Sequence, residues 1–352
     1  MVESSKPDMK LRVNEEEKTN KREEEGKFTN ILFSFLIVLT AIGTSLMIYK
    51  LPEFTSDLVE KNPSYNFPKL SDLTIALYAV AVLITLKITV EKLARPLSER
   101  IISKKYTNPE DEASFSLGKV YIKKLSTNIF KLISYTIMVI CGFLILSQLD
   151  YFPTSLGGKG QLMNMFSPGY PDAFYHWKPA YFDIYYLTAL GFCLTDLIWL
   201  VFIYELQSDF ILMLLHHVCT ISLISFSYLT NWSNIGCIVL FLHDIGDIFV
   251  YLTRIVINTD LKSWVKISTA VGLIIVYIYT RIYVFSNVIL SILRGAGTWG
   301  FDWPTTSLTV FLCFLLTMHI NWVYLILKRI SMALFEKKIE DTANVRKVSK
   351  TN

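Results

Sequence analysis

The stretch Asp209-Phe210-Ile211-Leu212-Met213-Leu214-Leu215-His216-His217-Val218-Cys219-Thr220, followed after a short break by Leu240-Phe241-Leu242-His243-Asp244-Ile245-Gly246-Asp247, decides how this chain is read. Both runs are too apolar for a helix facing water, and both carry ionisable groups. The apolar blocks they belong to are about twenty residues long, the length a helix needs to cross a hydrocarbon core roughly 30 Å thick. An ionisable group facing lipid is costly, so these side chains belong on the inside of a helical bundle.

Working outward, the chain has 352 residues, 52% of them apolar. That share is ordinary for a soluble protein, so the distribution and not the total decides the class. The apolar residues fall in eight candidate spans: Ile31 to Tyr49, Leu73 to Leu93, Thr127 to Gln148, Tyr181 to Tyr204, Phe210 to Leu229, Ser233 to Val256, Val265 to Leu290 and Thr305 to Leu327. The expected fold is an all-α polytopic membrane protein of about eight transmembrane helices. Residues 1–28 mix Lys, Arg and Glu, as in Lys21-Arg22-Glu23-Glu24-Glu25, and hold no apolar core. They are expected to be a disordered cytosolic tail and not a cleavable signal peptide. Residues 29–113 are expected to form two helices and a basic linker, and 331–352 a basic cytosolic tail. The five cysteines (Cys141, Cys193, Cys219, Cys237, Cys313) all lie in apolar blocks, where they read as small buried hydrophobes.

Lys and Arg collect in the amino-terminal tail, in the gap after span two and in the carboxy-terminal tail, while Lys159, Lys178 and Arg294 are sparse in alternate gaps. This bias places both termini in the cytosol and the gap from Asp150 to Pro179 in the lumen. The net charge of +4 therefore speaks of topology, and no nucleic acid is implied. Asn231-Trp232-Ser233 matches a glycosylation sequon, but the tight turn that holds it argues against modification.

The intramembrane polar residues are Asp196, His216, His217, His243, Asp244, Asp247, Arg281 and His319. His243 and Asp247 are four residues apart and Asp244 and Asp247 three, so all three share one face of span six. His216 and Thr220 are likewise one turn apart, which gives that histidine a hydroxyl neighbour. At 1.5 Å per residue His216 lies roughly 10 Å inside the cytosolic end of its span, Asp196 roughly 12 Å and Asp247 roughly 14 Å. Three helices bring ionisable groups to one level. The plain alternative is hydrogen bonding that only holds the bundle together. Two adjacent histidines and three carboxylates at one depth argue against it.

Histidine beside a carboxylate supplies a base near neutral pH, and acyl transfer from a thioester to an amine or hydroxyl suits the pair. Metal chemistry competes: by ligand type His216, His243 and Asp247 could hold one zinc. Di-iron hydroxylases need about eight histidines, and this chain has 5, with His176 in the luminal gap. A proton-coupled transporter is the third reading, without an internal repeat to support it.

At these residues the sequence resembles the ceramide synthases, the Lag1 branch of the TLC-domain membrane proteins. The resemblance runs through Asp209-Phe210, His216-His217-x-x-Thr220, Ser225-Phe226-Ser227-Tyr228, Asn231, Ile235-Gly236 and His243-Asp244-x-x-Asp247. Thr280-Arg281, His319-Ile320-Asn321-Trp322 and the upstream pair Tyr185-Tyr186 extend it across about Ser114 to Arg329. The resemblance implies a six-helix TLC bundle over 114–330 in the endoplasmic reticulum membrane. It implies N-acylation of a sphingoid long-chain base by fatty acyl-CoA, without a metal or other cofactor. His216, His217, Asp244 and Asp247 would then be catalytic, with Asp209, Thr220, His243, Asp196, Arg281 and His319 around the substrates. A homodimer or heteromer is consistent with the family. The chain departs from the family pattern at Leu206-Gln207-Ser208, where a basic run is usual, at Asn234 in place of Arg and at Tyr251 in place of Glu. A non-catalytic TLC protein of lipid sensing or transfer is the alternative, and its relatives commonly lack the full histidine and aspartate set.

Overall fold

A segment surrounded by lipid must satisfy its own backbone hydrogen bonds, so each apolar block folds as a helix. The computed structural model describes residues 37–38, 40–61, 63, 65–104, 112–166, 177–202 and 210–335. Helix α1 covers 40–61. It is followed by α2 (Thr74–Ile101), α3 (Glu112–Leu146), α4 (Phe182–Phe202), α5 (Phe210–Leu229) and α6 (Ser233–Ile257). Then come α7 (Ser263–Ile278), a π-helical segment (Tyr279–Val284), α8 (Phe285–Trp299) and α9 (Trp303–Phe335).

Among the described residues 7 helical stretches are long and apolar enough to cross a membrane, with α7, the π segment and α8 forming one of them. The chain is an all-α polytopic membrane protein. The expected first span begins outside the described residues, and residues 1–28, 336–352 and the Glu205 to Asp209 link lie outside them, while 331–335 of the expected tail continue helix α9. Several helices outrun the apolar blocks that announce them. Helix α2 continues past Leu93 through Arg95 and Arg100 to Ile101, and α3 begins at Glu112, ahead of Thr127. Hydropathy marks the part that lipid covers, whereas helix propagation needs only one more backbone bond per residue.

Helix α6 sits at the centre, packed on α3, α5 and α7. Its Cys237, Ile238 and Leu242 are fully buried, and the core continues into Tyr186 and Leu187 of α4 and Cys219 of α5. The outward faces of α2 carry Leu77, Tyr78 and Leu93, which suits contact with lipid chains. The cysteines divide in the same way. Cys219 and Cys237 are buried as expected, but Cys141 and Cys313 are exposed on the outer surface, because an apolar helix facing lipid has no need to hide them.

The α5–α6 hairpin turns at Asn231, whose φ of 63° is a left-handed conformation that asparagine tolerates. The Trp232 amide closes the turn by donating to the Ser227 carbonyl at 2.6 Å. Asn231 is only 1% exposed, and its side-chain nitrogen donates to Tyr65 Oη at 3.3 Å. That is the nitrogen a glycan would take. Glycosidase treatment is accordingly expected to leave the gel mobility of Asn231→Gln and wild-type protein identical at this site.

On the opposite side, Asp260 in the α6–α7 turn accepts from Ser103 Oγ at 2.5 Å and from the Lys104 amide at 2.9 Å. These donors hold its carboxyl below the usual carboxylate range. The clamp thus stands at neutral pH and is lost only as acid protonates the carboxyl.

Candidate functional site

Helices α4, α5 and α6 line one cavity with positions that repeat at helical spacing. On α5 these are His216, His217, Thr220, Leu223, Ile224 and Ser227. On α6 they run from Asp247 through Asp244, His243, Leu240 and Val239 to Gly236 and Ile235. Asp196 and Tyr186 mark the two ends of the α4 wall, and Ile292, Leu308, Leu312 and Leu315 close the side toward α8 and α9. The cavity, opening included, measures about 970 Å³. One end is polar, lined by Asp196, His216, His217, His243, Asp244 and Asp247. From there toward the α5–α6 turn the wall is mostly apolar, with Tyr186, Ser227 and Trp232 at its far end.

The polar end has an internal order. His243 Nδ1 lies 2.6 Å from the Val239 carbonyl and donates to it, which leaves Nε2 as an acceptor. His319 Nε2, at 2.7 Å, donates to that nitrogen, and His319 Nδ1 in turn accepts from Tyr277 Oη at 3.0 Å. With both rings neutral, every nitrogen in this chain has its partner. His319 is 0% exposed and stands behind the wall. It packs edge-on against His216 with ring centroids 6.2 Å apart, and Trp322 does the same at 5.2 Å.

His216 differs from those two. Its ring lines the cavity, and its Nδ1 is buried with no hydrogen-bond partner among the described residues. The two neighbouring rings, His216 and His217, have centroids 5.6 Å apart. Asp244 is buried and its Oδ2 likewise finds no partner among the described residues. Asp247 is held by Arg281, whose Nη2 lies 2.6 Å from Oδ1 and 2.8 Å from the His243 carbonyl, to which it also donates. Arg281 belongs to the π segment, where one extra residue per turn swings a side chain off the α-helical register. Gly246 makes room for it: a Cβ there would sit 2.8 Å from Arg281 Nε.

Two expectations change in the light of this geometry. Arg281 and His319 do not line the cavity; they stand one layer back, bracing Asp247 and His243. Thr220 lines the wall, but its hydroxyl donates to the His216 carbonyl at 2.8 Å and not to the imidazole, as threonine on a helix commonly does. Asp209 and His176 lie outside the described residues. Among the described residues no three His, Cys, Asp or Glu side chains are gathered so as to hold a metal ion, so His216, His243 and Asp247 do not form a ligand set in this geometry.

One polar feature was not foreseen. Lys131 of α3 pairs with Asp196 of α4, both almost fully buried. Nearby, Lys87 of α2, 2% exposed, pairs with Glu91 at 2.6 Å, and Glu91 also accepts from Thr127 Oγ1 at 2.8 Å. A lysine inside an apolar span is the signal that marks both positions, by the same cost argument that marks the histidines.

A family model described as the TLC domain matches residues 124–328. The chain is 28% identical over 210 residues to ceramide synthase 4 of Bos taurus, covering 58% of this chain and 49% of that protein. It is 27% identical over 215 residues to ceramide synthase LOH2 of Arabidopsis thaliana, covering 58% and 68%. It is 24% identical over 298 residues to ceramide synthase hyl-2 of Caenorhabditis elegans, covering 80% and 86%. The match thus spans about half the length of the cattle relative and most of the nematode one.

Proposed function

The chain belongs to the TLC-domain family, and from that premise we propose that it is a ceramide synthase, moving a fatty acyl group from acyl-CoA to the amine of a sphingoid long-chain base. The observation that carries this reading is the cavity itself. His216, His217, Asp244 and Asp247 share one end of it, and an apolar length suited to a lipid chain leads away from them. Similarity to several ceramide synthases points the same way.

In this reading the amine nitrogen attacks the thioester carbonyl carbon. A C–N bond forms, the C–S bond breaks, and the coenzyme A sulfur leaves with the electron pair. The nitrogen must shed a proton, and a neutral imidazole takes it and hands one to the departing sulfur. His216 suits that task because it retains an unsatisfied nitrogen, whereas both nitrogens of His243 and of His319 are committed. Acylation of a histidine before the amine arrives would use the same residues. Asp247, fixed by Arg281, supplies a negative charge to the polar end in which the imidazolium forms. Asp244 offers its unpartnered oxygen to a polar group of the bound lipid. The coenzyme A docks at the cytosolic mouth, in the endoplasmic reticulum membrane, with both termini cytosolic.

The test is direct. Purified protein given palmitoyl-CoA and sphinganine is expected to form ceramide, read by mass spectrometry, and a preparation that is folded but forms none would return the protein to lipid sensing or transfer. Incubation with a chelator is expected to leave turnover unchanged, since the chain's own imidazoles carry the proton. A loss reversed by added zinc would overturn that part.

A further inference from the structure

The far end of the cavity is built as a rigid stop. Tyr186 lines it and is fully buried, stacked on Phe182 at 6.4 Å and on Tyr228 at 6.2 Å between centroids. Its hydroxyl donates to Ser227 Oγ at 2.6 Å, and Ser227 donates onward to backbone carbonyls of its own helix. Gly236 lies directly under the phenol: a Cβ there would fall 2.0 Å from Tyr186 Oη. Only a residue without a side chain lets the ring sit where it does. On the outer side of the stack stands a charged group. Lys178 Nζ lies over the Phe182 and Tyr228 rings and 3.2 Å from Asn231 Oδ1.

We propose that Tyr186, seated on Gly236 and tied to Ser227, is the residue that limits the length of the fatty chain this site accepts. The inference rests on the acyl-transfer reading of the site. The residue numbers along α4 from Asp196 to Tyr186, and along α5 from His216 to Ser227, put the stop about 15–17 Å from the polar end at 1.5 Å per residue. That is about half of the roughly 30 Å hydrocarbon core that two opposed lipid chains fill. A chain of ordinary membrane length reaches from the histidines to the phenol ring. A very-long chain with its carboxyl carbon at the histidines is longer than that distance and meets the ring.

The experiment is competition. Full-length protein in detergent receives sphinganine with equimolar palmitoyl-, stearoyl- and lignoceroyl-CoA, and the ceramides are separated by mass. Wild type is expected to favour the palmitoyl and stearoyl products. Tyr186→Ala is expected to raise the lignoceroyl-to-palmitoyl product ratio by about tenfold or more, the scale of discrimination that even one methylene gives in an apolar pocket. Tyr186→Phe, which keeps the ring, is expected to hold the wild-type ratio. Where Tyr186→Ala cannot be recovered from the membrane, Tyr186→Leu is read in the same way. An active Tyr186→Ala or Tyr186→Leu with an unchanged ratio, or a wild type that prefers the lignoceroyl substrate, overturns the assignment while leaving the enzyme reading intact. A wild type that makes no ceramide from any donor overturns that reading instead.

Discussion

His216→Ala is expected to lower ceramide formation by roughly 10²–10⁴-fold, the range that a positioned acid–base group contributes, with the protein still folded in the membrane. The geometry explains why folding should survive. The His216 ring meets Trp322 and His319 edge-on and lines a cavity that already exists, so its loss enlarges that space without opening a new void. His216→Gln, which keeps the bulk and hydrogen-bonding capacity but cannot act as a base, should be equally slow. His217→Ala is expected to fall in the same range, because the two rings share the polar end. Initial rates with palmitoyl-CoA and sphinganine give the comparison, and elution as a single species in detergent establishes folding. Wild-type turnover in both single alanine variants would rule out histidine chemistry at this level.

Much of this site could be read from residue spacing. The helical repeats His243/Asp247 and Asp244/Asp247 correctly placed three side chains on one face, and counting depth at 1.5 Å per residue put Asp196, His216 and Asp247 at one level. The structure gathers all of them around one cavity. Spacing could not tell which polar groups face the cavity and which stand behind it. Arg281 and His319 sit in apolar segments just as His216 does, and only the packing of the π segment against α6 and of α9 against α5 and α7 sends them to the rear. The π segment at Tyr279–Val284 is equally invisible in hydropathy, since a change of backbone register leaves the composition untouched. Lys87 and Lys131 were legible but submerged, because a single charge does little to the mean of an apolar window. The long extension of α2 to Ile101 is a matter of backbone bonding, and the end of an apolar run does not mark it.

Arg281→Met should produce the largest loss of stability, about 3–5 kcal/mol, the usual cost of stripping one partner from a buried ion pair. Methionine fills much of the same space, so the penalty is electrostatic. It leaves Asp247 without its cation and takes from the His243 carbonyl the second donor that Arg281 supplies. Thermal unfolding in detergent measures it. The pairing also predicts a rescue. Replacing a buried ion pair by neutral groups of similar size is often close to neutral, so Arg281→Met combined with Asp247→Asn should recover most of the lost stability. Activity should not follow. Asp247 lines the cavity beside the histidines, and an amide there cannot supply the charge that an imidazolium needs. Stability and turnover are thus expected to separate in the double variant. If Arg281→Met melts as wild type does, or if the double variant is no more stable than the single, the Arg281–Asp247 pair does not brace the site.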